Sequence, residues 1–66
     1  MHKIIGDRIR TKRLEMRIIQ KQLGIFLDVS QEQIHKYERG EESVPRFELM
    51  MLCKLFKVRI DYFTDL

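Results

Sequence analysis

QKQLGIFLDVSQEQIHKYERG, residues 20–40, decides how this chain folds. Leu23, Gly24 and Leu27 recur at helical spacing and predict a helix over residues 20–27 with one inward face. Gly24, lacking a side chain, lets another helix backbone approach closely there. Asp28 and Val29 form a turn, and Asp accepts a left-handed backbone more readily than most residues. Ser30 suits the N-cap of a second helix, which runs to about Glu38 and ends at Gly40. The stretch reads as two short helices joined by a tight turn.

The second of these helices carries little core. Ile34 is its clear apolar anchor, helped by the ring of Tyr37, while Gln31, Glu32, Gln33, His35 and Lys36 all end in hydrogen-bonding groups. Residues 31, 32 and 35 or 36 lie on one surface. Side chains of these types match base edges in the major groove of duplex DNA. Gln bonds adenine in two places, Glu accepts from cytosine and Lys donates to guanine. Gln31, Glu32, Gln33, His35 and Lys36 are therefore the candidate base readers. Gln20 and Ser30 stand at helix starts, where free backbone N–H groups and the helix dipole favour phosphate; simple capping is compatible with that role. Lys12, Lys36, Arg39 and Arg46 are further candidates for phosphate contact.

Working outward, a first helix is predicted from about Ile4 to Met16, with Ile5, Ile9, Arg13 and Met16 on one face. Arg13 on that inward face and Glu38 at the close of helix 3 are expected to form a partly buried ion pair that locks the two helices together. Residues 41–44 form a loop, and Pro45 suits the first turn of a fourth helix that runs to about Phe56. Leu49, Leu52, Cys53 and Phe56 give that helix a core face. A fifth helix is expected from about Ile60 to Asp65, with Ile60 and Phe63 inward. The fold class is all-α: a compact bundle of four to five short helices, as a single domain over residues 1–66.

Composition narrows the function. Thirteen Lys and Arg against ten Asp and Glu leave a net charge of +3, which suits an anionic partner without requiring one. A single cysteine excludes an intrachain disulfide and points to a reducing compartment. No apolar run approaches the roughly 18 residues of a membrane span, and nothing behind Met1-His2-Lys3 reads as a signal peptide. A cytoplasmic protein is expected. His2, His35 and Cys53 offer no zinc spacing. Phosphate loops, nucleophile elbows and paired-carboxylate clefts are also missing, so neither metal, cofactor nor enzymatic activity is expected.

These residues resemble the lambda-repressor-like, Cro-type (XRE) helix-turn-helix family of bacterial and phage transcriptional regulators. The resemblance runs through Ile5-Gly6, Ile9-Arg10 and Arg13, then Gln20, Leu23-Gly24, Val29-Ser30 and Ile34. It continues through Lys36-Tyr37-Glu38-Arg39-Gly40 to Val58 and Ile60-Asp61. It implies sequence-specific binding of double-stranded DNA by a repressor, with helix 3 in the major groove, and a homodimer on a palindromic operator. It also implies that Gln20 and Ser30 contact phosphates, that residues 31–33, 35 and 36 face the groove, and that Arg46 is the phosphate or minor-groove residue opening helix 4.

The chain departs from the family pattern in four ways. Asp28 replaces the usual turn glycine. Ile19 replaces the Ser or Thr that caps helix 2. Arg17 replaces a glycine after helix 1, so that junction is expected to be less well capped. Ile25 and Phe26 occupy slots that are normally charged and, with Ile19, suggest a surface for a protein partner. Two alternatives follow. One is an antitoxin-like module that binds both DNA and a protein. The other is a protein-interaction domain without DNA binding, favoured by the acidic Glu32. The dimer surface is expected to involve the fifth helix and the segment before it, with Tyr62, Phe63 and Leu66 as candidates and core as the alternative place for Phe63.

Overall fold

The fold is described from a computed structural model, over residues 2–64. Helices α1 (His2–Glu15), α2 (Gln20–Leu27), α3 (Gln31–Arg39), α4 (Arg46–Phe56) and α5 (Asp61–Thr64) follow in order, with no strand among the described residues. The bounds of α2 coincide with the sequence reading. α1 begins two residues earlier than expected, at His2, and ends at Glu15. Pro45 is the N-cap of α4 and not its first turn. Asp65 and Leu66, expected in the fifth helix and the dimer surface, lie outside the described residues.

Nine apolar residues form the core: Ile9, Leu23, Leu27, Ile34, Tyr37, Leu49, Leu52, Phe56 and Phe63. Each fully buried aliphatic side chain contributes about 1.5–3 kcal/mol. α3 packs against both α1 and α2, and α5 covers α1. Phe63 is fully buried between Phe56 and Tyr62, with ring centroids 6.4 and 5.2 Å away, so it belongs to the core and not to a dimer surface. Met16, expected on the inward face of α1, is exposed because the helix has ended before it. Cys53 is half-buried, and burial raises the pKa of its thiol.

Each of the first four helices ends on a residue in the left-handed region: Arg17 (φ 58°), Asp28 (φ 61°), Gly40 (φ 74°) and Lys57 (φ 58°). The next backbone N–H then folds back onto the last turn, as Ile18 does onto the Arg13 carbonyl (3.0 Å) and Val29 onto the Gly24 carbonyl (2.9 Å). The α1–α2 junction, expected to be poorly capped, therefore closes with the same motif as the others. Arg17 accepts the strain that glycine would have avoided. At Gly24 the close neighbour is this turn and not another helix, because an added Cβ would lie 2.7 Å from the Val29 carbonyl oxygen.

Candidate nucleic-acid interface

α3 is held by two buried polar contacts, one toward α1 and one toward α4. Toward α1, Arg13 Nε donates to Glu38 Oε2 at 2.7 Å and Arg13 Nη2 to Glu38 Oε1 at 3.1 Å. The two side chains are 8% and 2% exposed. Each side chain makes one further hydrogen bond. Arg13 Nη1 donates to the Ile18 carbonyl at 2.7 Å, and Gln20 Nε2 donates to Glu38 Oε1 at 3.1 Å. The pair thus ties α1, the α1–α2 corner and the start of α2 to the last turn of α3.

Toward α4, the Tyr37 hydroxyl donates to Glu48 Oε1 at 2.8 Å, with both residues buried. Glu48 was not picked out by sequence reasoning. The signal was present, since Glu48 lies four positions before Leu52 and so falls on the core face of its helix. Burial, and then the hydrogen bond to Glu48, push the Tyr37 pKa from 10.0 up to about 12. The fold therefore favours the neutral phenol. That stabilisation is complete below pH 10.0 and is lost as pH rises toward about 12; it amounts to about 2–3 kcal/mol. Tyr37→Phe is expected to cost about 1–3 kcal/mol at neutral pH, because Glu48 loses its donor. The gap between wild type and variant in urea denaturation should narrow above pH 10.0. A gap that stays constant to pH 11.5 would show that Tyr37 and Glu48 are not coupled in this way.

With its inner face fixed, α3 presents an outer stripe. Gln31, Glu32, His35 and Arg39 are exposed, and Lys36 is half-buried one turn after Glu32. Ser30 caps the helix, its hydroxyl oxygen accepting from the Gln33 N–H at 3.0 Å. Gln33, expected in the groove-facing set, is half-buried, and its side chain is close enough to the Tyr37 hydroxyl to oppose the rise in that group's pKa. It lies on the flank of the stripe toward α4. At the start of α2, Gln22 Oε1 accepts from the Ile19 N–H at 3.0 Å, but the Ile19 side chain cannot accept in return. The leading N–H groups of α2 therefore lack a side-chain cap from Ile19.

Two clefts run along the stripe and meet at Gln20 and His35. The smaller, about 410 Å³, is also lined by Gln31 and Glu32. The larger, about 630 Å³, lies between α3 and α1. Its α1 wall carries Lys3, Asp7 and Arg10, and Arg39 stands on the α3 side above the Arg13–Glu38 pair. Lys12, expected at phosphate, is not in this wall. It lies about 200° around α1 from Arg10, bonded to Glu15 at 3.2 Å and 5.2 Å above the Tyr62 ring. Lys3 and Arg10, which sequence reasoning passed over, occupy the side next to α3; their seven-residue spacing was the available sign. Arg46 is exposed at the first position of α4, and Arg39 Nε bonds Glu41 Oε2 at 2.8 Å.

A family model described as Helix-turn-helix matches residues 9–63. The chain belongs to this helix-turn-helix family. An uncharacterised transcriptional regulator in the ATPase CF(0) region of Rhodospirillum rubrum is 37% identical over 59 residues, covering 89% of this chain and 55% of that protein. The chain spans about half the length of the curated relatives it matches. Among solved structures, the P22 c2 repressor in complex with synthetic operator 9T superposes with a TM-score of 0.82, 33% identity and 91% coverage of each chain. The restriction-modification controller protein C.AhdI of Aeromonas hydrophila also reaches 0.82, at 18% identity and with 94% and 90% of the two chains covered; it shares the fold. The helix-turn-helix of α2 and α3 thus sits in an all-helical, lambda-repressor-like fold.

Proposed function

We propose that this helix-turn-helix domain binds double-stranded DNA in a sequence-specific manner as part of a transcriptional repressor, with α3 in the major groove and α2 crossing the backbone. The observation that carries the reading is the outer stripe of α3, a polar surface held by two buried polar contacts. Gln31, Glu32, His35 and Lys36 are its base readers, and Gln33 reaches the groove only from the flank. Ser30, Arg39 and Arg46 supply phosphate contacts. Gln20 supplies one through the part of its amide that Glu38 does not use, beside the uncapped N–H groups of α2. The P22 c2 repressor, seen in complex with an operator, supports the binding of duplex DNA. A homodimer engages a palindromic operator with half-sites about 34 Å apart. The domain works in the cytoplasm, at the nucleoid when bound, and none of its described helices is long and apolar enough to cross a membrane.

The test separates affinity from discrimination. Gln31→Ala is expected to lose about 1–3 kcal/mol of preference at one base pair of the operator and little affinity for unrelated duplexes. Selection from random duplexes followed by competition binding measures both. Equal losses on every sequence would remove Gln31 from base reading.

One observation favours a second activity alongside DNA binding. Ile19, Ile25 and Phe26 are 59%, 72% and 41% exposed on or beside α2. Ile25 and Phe26 in the last turn of α2, with Ile19 before its start, would hold the protein partner, as in an antitoxin-like module.

A further inference from the structure

The geometry points to the cleft between α1 and α3 as a second seat for the DNA backbone. We propose that Lys3 and Arg10 of α1 join Arg39 of α3 in gripping phosphate there, while Asp7 and Glu41 occupy two of those cations until a phosphate displaces them. The inference rests on the DNA-binding reading above and extends it to a helix outside the helix-turn-helix.

The cleft is built for an anion. Arg13 and Glu38 at its floor neutralise each other through a bidentate contact. What remains in the lining is Lys3, Arg10 and Arg39 against the single carboxylate of Asp7. The charged and amide lining favours a charged or hydrated group over an apolar one. Lys3 and Arg10 are two helical turns apart on one face, about 10.5 Å along the axis, which suits a strand running past the cleft and not a single small ion. The cleft shares Gln20 and His35 with the cavity over Gln31 and Glu32, so it continues the reading surface toward α1.

Two of the cations already have partners. Lys3 Nζ sits 2.7 Å from Asp7 Oδ1, and Arg39 Nε sits 2.8 Å from Glu41 Oε2. Both pairs are open to solvent, with side chains 67% and 57% exposed in the first and 60% and 50% in the second. Exposed pairs contribute little to stability, so exchanging carboxylate for phosphate disturbs the fold little. The acids act as competitors that lower affinity for any duplex and leave discrimination to α3.

Binding to a mixed-sequence duplex is measured by fluorescence anisotropy between 50 and 200 mM salt. Wild type, Lys3→Ala, Arg10→Ala, Asp7→Asn, Glu41→Gln and Lys54→Ala are compared, the last as a charge-matched change on α4 outside the cleft. Lys3→Ala and Arg10→Ala should each reduce the salt slope by about 0.9, or about threefold less affinity lost over that range, on every sequence. Asp7→Asn and Glu41→Gln should bind more tightly at 50 mM, and Lys54→Ala should keep the wild-type slope. Thermal melts check that these exposed substitutions leave the fold intact. Unchanged slopes for Lys3→Ala and Arg10→Ala beside a salt-dependent wild type would overturn the cleft inference alone. A loss confined to one base sequence would also overturn it. Failure of Asp7→Asn and Glu41→Gln to tighten binding would overturn the competing role of the acids. A wild type that binds no duplex would overturn this inference together with the DNA-binding reading.

Discussion

Glu38→Ala should lower the stability of the domain by about 3–5 kcal/mol, because Arg13 would keep a buried charge with nothing to compensate it. Only 8% of the Arg13 side chain reaches solvent, and the Ile18 carbonyl would be its remaining partner. At about 0.05–0.15 kcal/mol per residue, a 66-residue domain has roughly 3–10 kcal/mol in all. The variant would therefore sit at the edge of folding at room temperature. Urea denaturation followed by circular dichroism measures the loss. Arg13→Met combined with Glu38→Leu should recover much of it, since the double change removes the stranded charge and fills similar volume. A loss below about 1 kcal/mol would mean that the pair behaves like an exposed one.

Gly6→Ala is also expected to be damaging, although alanine is the better helix former by about 1 kcal/mol. An added Cβ would lie 2.7 Å from the Glu38 carbonyl oxygen and 2.9 Å from its carbonyl carbon, and would also meet the Tyr37 carbonyl. These are backbone atoms, so no rotamer change relieves the crowding. α1 would have to move away from the last turn of α3 and would pull on the Arg13–Glu38 contact as it went. Overpacking of this kind costs about 1–3 kcal/mol, and rigid neighbours place it at the upper end. The expected result is a net loss of about 2 kcal/mol and a fall in Tm of about 10 °C. A variant that melts at or above the wild-type temperature would show that the two helices are not in such close contact.

Much of the fold was legible because helical period and end signals agree along this chain. The α2 boundaries, the turn at Asp28, the Ser30 cap and the Gly40 stop follow from residue types whose local preferences point one way. The outer stripe of α3 was legible for a related reason: too few apolar residues for a core helix, placed directly after a turn. The rest depended on three-dimensional facts that no local pattern carries. Lys12 and Arg10 look alike in sequence, and only the position of α5 shows that Lys12 is occupied by Tyr62. Gln33 resembles its neighbours until Tyr37 is seen beside it. Gln20 reads as a phosphate ligand from its place at a helix start, yet part of its amide is committed to Glu38. Gly6 passed as an ordinary family match, whereas its surroundings show that nothing larger fits.

Arg17, Asp28 and Lys57 turn the chain with side chains that resist the required backbone, and among these four corners only Gly40 has the relaxed residue. Arg17 and Lys57 each store about 1 kcal/mol, and Asp28 less, that the packed interior must offset. The thermal ceiling of this protein is thus lowered at its corners as well as raised by its centre. Those corners are a reserve of hardiness that could be drawn on without touching the outer stripe of α3.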